Sequence, residues 1–163
     1  MSTNDVQITD VLEIGIRLKR LSLNFYNRLS ERHDNQKLSD IFSLLASEEE
    51  KHIGVFITLL DSIANYHPQF KYPGAYGKYL DGYATIVFAN NITRDKYADE
   101  FQNILRSLNY RTVGLIEKII ELFKPETVED ALCIASDLEI ARIIYFYFVK
   151  SKIPTLKFRI RKQ

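Results

Sequence analysis

Apolar residues recur at helical spacing in four long stretches of this chain, and each stretch is interrupted near its middle by a polar step. Val11, Ile14, Leu18, Leu21 and Phe25 predict a first helix from about Thr9 to Glu31, with Asp10 and Glu13 spaced as a capping box. A second is predicted from about Leu38 to Ala64, opened by Ser39 and closed before His67-Pro68, and its stripe reads Phe42, Leu45, Glu49, His52, Phe56, Leu59. A third spans roughly Asp99 to Phe123 and carries Leu108, Leu115, Ile119 and Leu122. The fourth starts near Pro125-Glu126-Thr127, where proline suits a first turn, and stops before Pro154; its stripe reads Leu132, Ala135, Glu139, Arg142, Phe146, Val149.

The connections suggest how these helices pack. A short polar loop around His33-Asp34-Asn35 makes the first two antiparallel neighbours, and Lys124-Pro125 joins the last two more tightly still. Between the pairs lies a long connection, 65–96, holding Pro68, Pro73, Gly74, Gly77, Gly82 and one short helix from Tyr76 to Phe88. Loops of this length in compact domains serve as crossovers or lids. The expected fold is therefore all-α: an antiparallel four-helix bundle of two helical hairpins joined by a long crossover, the ferritin-like connectivity. The bundle is assigned to residues 1–153 and a basic C-terminal tail to 154–163.

The polar steps carry the candidate chemistry. Glu49 and His52, at i and i+3, share one helix face, as do Glu139 and Arg142. Lys19 interrupts the first-helix stripe Leu12, Ile16, Leu23, Tyr26, and in the third helix the step is either Arg111 or Thr112, between which the stripe does not choose. Antiparallel packing would gather all four steps into one layer. A Glu-x-x-His from each of two helices, with a lone Glu from each of the other two, holds a di-metal centre in such bundles. Here half of that set is present, and cations stand in much of the rest.

From about residue 10 to 150 the chain resembles the rubrerythrin-type branch of the ferritin-like, di-iron carboxylate superfamily. The matching segments are Leu12-Glu13-Ile14-Gly15-Ile16 leading to Asn24-Phe25-Tyr26, then Leu45-Ala46-Ser47-Glu48-Glu49-Glu50-Lys51-His52-Ile53. The resemblance is specific in the first hairpin and weak in the second. It implies metal ligands at Glu49, His52 and Glu139. It also implies lost ligands at Lys19, at Thr112 or Arg111, and at Arg142, with Lys19, Arg111 and Arg142 as salt-bridging replacements for the metal charge. Four facing carboxylates need a metal to neutralise them, whereas two facing Lys19 and Arg142 neutralise each other, and arginine cannot become a ligand. A competing arrangement turns Lys19 or Arg142 outward and leaves one divalent ion on Glu49, His52 and Glu139. Glu13, Glu117 and Glu121 are reserve carboxylates should the helix register differ.

Composition narrows the functions. Hydrophobic content of 46% and charged content of 26% are ordinary for a globular protein. No apolar run approaches the ~20 residues that span a bilayer, and Met1-Ser2-Thr3-Asn4-Asp5 has neither a basic start nor a hydrophobic signal core, so a cytoplasmic location is expected. The only cysteine, Cys133, rules out an intrachain disulfide or a four-thiolate rubredoxin-type iron site, and is expected in the core between Leu132 and Ile134. Lys150, Lys152, Lys157, Arg159, Arg161 and Lys162 supply six positive charges without a negative one; against the chain's +1 this leaves the body at −5, which argues against nucleic-acid binding by the bundle. Thr155 to Lys162 alternates apolar and basic residues, a pattern suited to a sheet edge, anionic lipid or nucleic acid, or to folding back on the bundle, and the sequence does not specify the partner.

The leading expectation is a non-enzymatic, ferritin-like protein that keeps the scaffold without the di-iron centre. No cofactor is expected, and the partner is a second copy or a related subunit. The alternative is an iron-dependent oxidoreductase that scavenges peroxide or oxygen. A third reading makes the tail an adaptor and the bundle its passive body.

Overall fold

The computed structural model describes residues 8–63, 75–92, 99, 103, 106–107, 115–122 and 124–152. The described residues are helical apart from short links, and no strand occurs among them. We number the helices α1 (Ile8–Arg32), α2 (Gln36–Asp61), α3 (Ala75–Ile92), α4 (Leu115–Leu122) and α5 (Val128–Lys152). Among the described residues no helix is long and apolar enough to cross a membrane.

Local signals set the helix ends. Asn35, rather than Ser39, caps α2: its side chain accepts a hydrogen bond from the Lys37 amide at 3.0 Å. At the other end the Ser62 hydroxyl donates to the Leu59 carbonyl, which closes the last turn. The start of α5 is a capping box: the Asp130 amide donates to Thr127 Oγ1, and the Asp130 carboxylate accepts from the Thr127 and Glu126 amides. Pro125 therefore precedes the cap instead of lying in the first turn. The helix expected over 99–123 is described at 99, 103, 106, 107 and along α4; Arg111, Thr112 and the tail 154–163 lie outside the described residues.

The long connection holds more helix than the sequence pattern suggests. The expected Tyr76–Phe88 segment extends to the 18-residue α3, which packs along α1. Gly77 and Gly82 lower helix propensity, but docking on α1 supplies what propensity lacks. The pairings fix the directions. Lys19 meets Glu49 and Tyr26 meets Phe42, so α1 and α2 are antiparallel. Arg17 reaches Asp81 and Phe25 meets Phe88, so α3 runs parallel to α1. Phe146 contacts Phe56, seven residues beyond Glu49, while Arg142 contacts Glu49 itself, so α5 runs parallel to α2.

Helix α1 is the hub. Every residue from Glu13 to Lys19 is buried, because α2, α3 and α5 surround that stretch. The larger apolar cluster includes Phe25, Tyr26, Leu29, Leu38, Phe42, Leu80, Phe88, Ile119 and Leu138; a smaller one holds Ile16, Ile53 and Leu60. Gly15 lets the Phe56 and Phe146 rings close onto α1, since a Cβ there would sit 2.9 Å and 3.0 Å from ring carbons. The Phe56 and Phe146 rings pack edge-on, at 72°.

The α5 stripe is rotated from its expected face. Ala131, Ala135, Leu138 and Arg142 are buried, whereas Leu132 is half exposed and Cys133, expected in the core, is exposed. His33, in the short polar loop between α1 and α2, is half-buried and stacks on Phe42 with ring centroids 5.6 Å apart.

If α3 belongs to the core, Phe88→Ala should cost about 3–5 kcal/mol, as for other large-to-small aromatic changes. Urea unfolding followed by far-UV circular dichroism measures this, and a loss below about 1 kcal/mol would detach α3 from the core.

Candidate functional site

One turn along α1 from Gly15, the apolar packing gives way to charge. Lys19 of α1, Glu49 of α2 and Arg142 of α5 are all buried, with Glu139 of α5 and His52 of α2 at the rim. The Lys19 ammonium lies 3.0 Å from Glu49 Oε2, 3.3 Å from Glu139 Oε1 and 3.2 Å from His52 Nδ1. Arg142 Nη1 donates to Glu49 Oε1 at 2.6 Å and to Glu139 Oε1 at 2.5 Å. Each cation thus touches both carboxylates, and two positive charges balance two negative ones inside the bundle.

Three details define the layer. An ammonium has donors only, so the Lys19–His52 contact is a hydrogen bond in the His52 tautomer that leaves Nδ1 free to accept. Glu49 Oε2 is in ionic contact with Lys19 but off the hydrogen-bonding direction, and it makes no hydrogen bond. The layer is closed on the α1 side and open on the other: the Glu139 and His52 side chains are 49% and 48% exposed.

Two participants escaped the sequence reading. Ser22 is fully buried; its hydroxyl accepts from Arg142 Nη2 at 2.6 Å and donates to the Leu18 carbonyl at 3.1 Å. The signal was present in the i, i+3, i+7 ladder Lys19, Ser22, Tyr26, but a lone serine is common in helices. Arg17 forms a second buried ion pair, with Glu13 one turn earlier and with Asp81 of α3 at 2.7 Å. In the sequence Glu13 and Arg17 look like an ordinary i, i+4 surface pair; α3 covers them. Glu13 is therefore committed to Arg17 rather than held in reserve as a ligand, and Glu117 and Glu121 are exposed on α4.

Tyr26 lies beneath the layer. Burial, the dominant effect, pushes its phenol well above the usual range, with Glu49 and Glu139 adding to the rise and Arg142 opposing it. On the outer face of α2, the Lys51 ammonium beside Glu48 holds that exposed carboxyl below the usual range.

The candidate ligands Glu49, His52 and Glu139 do converge, but they converge on the Lys19 nitrogen. Among the described residues no group of three or more His, Cys, Asp or Glu side chains is arranged to hold a metal ion. No protein-family model, curated protein or solved structure matches the chain.

Removing one cation should leave a carboxylate buried without its counter-charge. Arg142→Met is expected to cost about 3–5 kcal/mol, whereas Lys51→Met, on the exposed face, should not change the unfolding midpoint; equal effects would place Arg142 in solvent. At high pH the raised pKa of Tyr26 keeps the folded state protonated while the unfolded tyrosine ionises near pH 10, so stability present below that pH declines above it. Tyr26→Phe should flatten the fall in stability between pH 10 and 11.5, measured by denaturant titration; parallel pH profiles would mean that the phenol is solvated.

Proposed function

We propose that this chain is a non-enzymatic, ferritin-like protein of the rubrerythrin type whose di-metal centre has given way to a self-neutralising ion cluster, and that it acts as a structural or interaction partner. The observation that carries this reading is the position of the Lys19 ammonium, within 3.3 Å of atoms from Glu49, His52 and Glu139. A lysine amine takes the place of a cation among the residues that the Glu49-x-x-His52 step of α2 and Glu139 of α5 would offer to one.

The donor set does not fit a divalent ion as it stands. Lys19 and Arg142 already compensate the two carboxylates, so an added ion would bring two uncompensated positive charges into a partly buried layer. It would also have to displace the Lys19 nitrogen, and Arg142 cannot deprotonate to make room. Helix order lends the resemblance less support. Two hairpins joined by a full-length crossover would set the last helix along α1, whereas α5 runs with α2. The reading therefore leans on the Glu49-x-x-His52 step and the shared charged layer.

Protein purified from iron-supplemented cells should carry no stoichiometric iron by elemental analysis. The double variant Lys19→Glu with Arg142→His should gain metal binding, seen as stabilisation by Co²⁺ of about 2.7 kcal/mol at a hundredfold excess over Kd. Stoichiometric iron with an oxo-bridged absorption band in the unaltered protein would overturn this reading and make the chain an oxidoreductase.

A further inference from the structure

Helix α5 has a second stripe beside its buried one. Leu132, Ser136, Ile140, Ile143 and Tyr147 recur at steps of four, four, three and four residues, so they share one face. The four large apolar side chains among them are 48–74% exposed. On α2, Val55 and Leu59 are also about half exposed and lie on the side that carries His52. Glu139 lies on the α5 stripe side, so the two apolar rows flank the open rim of the charged layer. Six large apolar side chains at these exposures offer on the order of 500 Å², within the range of the largest apolar patch on a typical monomer, which is often an interaction site. A standard interface takes about 800 Å² from each partner, a little over half of it apolar.

We propose that a second copy of this chain docks on this face, α5 against α5 in antiparallel sense, about a two-fold axis between Glu139 and Ile140. Self-complementarity identifies the occupant. Around that axis Leu132 falls opposite the partner's Tyr147 and Ser136 opposite the partner's Ile143, pairing small or branched residues with large ones. The same register sets Glu129 against the partner's Lys150. Charge along α5 chooses the direction. Glu129, Asp130, Asp137 and Glu139 make its first half acidic, and Lys150 and Lys152 make its end basic. Antiparallel packing brings opposite charges together, and parallel packing would stack like on like. The Glu139 carboxylates near the axis are each compensated by their own Arg142 and Lys19. Docking would cap the open rim of both charged layers. The inference deepens the interaction-protein reading and rests on it, naming a second copy as the partner.

Sedimentation equilibrium on the full chain should give the dimer mass. Ile143→Glu should raise the dissociation constant at least about 100-fold with an unchanged far-UV spectrum, because it buries an unpaired charge at the seam. Glu129→Lys should weaken the dimer and Glu129→Lys with Lys150→Glu should restore it, which checks the register should the first variant misfold. A spin label on Cys133, exposed and the only cysteine, reads the geometry directly. Six to seven residues on either side of the axis, at 1.5 Å each, set the two labels about 20–25 Å apart, against about 10 Å for parallel helices. A monomer at all concentrations, a label distance outside that range, or an Ile143→Glu dimer as tight as the original would each overturn the proposal. A monomer in which the face is covered by the chain's own basic tail is one such result. Metal content of the same samples separates the two ideas: a metal-free monomer sinks the dimer alone, and stoichiometric iron sinks the ion-cluster reading at any mass.

Discussion

A charge taken out of water must be balanced where it lies, and the middle of this bundle depends on that balance. Lys19 and Arg142 face Glu49 and Glu139, and each cation spans both carboxylates. Sharing of this kind couples three helices, because moving α1, α2 or α5 by one turn would strand at least one buried charge. Such a cluster need not add stability over an apolar core of the same shape, but it strongly penalises the wrong register. The single register in which Ser30 bonds Ser39, Tyr26 meets Phe42, and Lys19 meets Glu49 fits this constraint.

The two basic residues Arg17 and Lys19 show how one helix can organise three neighbours. Two positions apart on a helix, they point about 200° apart. Lys19 ties α1 to α2 and α5, and Arg17, paired with Glu13, ties it to α3 through Asp81. The stretch from Glu13 to Lys19 is consequently buried on every side, yet keeps charges on two opposite faces. Gly15, one turn before Lys19, admits the Phe56 and Phe146 rings that close the apolar end of the layer.

Scaffold and surface then divide the work. The charged layer is committed internally, with Lys19 and Arg142 each engaged by both Glu49 and Glu139. Among the described residues an exposed apolar stripe lies on α5 beside the open rim at Glu139 and His52.

Periodicity was enough to identify α1, α2 and α5 and to mark Lys19, Glu49, His52, Glu139 and Arg142 as polar steps on apolar stripes, because a buried face must repeat every three to four residues. Charge arithmetic was likewise legible: two carboxylates and two cations at matching depth can pair, and here they do. The rotation of α5, which turns Leu132 and Cys133 outward, was not, since the apolar residues of that helix spread over more than one face and its sequence offers two stripes of similar strength. Neither was the length of α3, whose glycines disfavour helix until α1 supplies a surface to dock on. The burial of Glu13 and Arg17 depends on that same docking. The sequence by itself determined helical content and the identity of the polar steps, both set by spacing within single helices. The tertiary structure alone decided which stripe faces inward, which way α5 runs and which cation meets which carboxylate, because those depend on contacts between residues far apart in the chain.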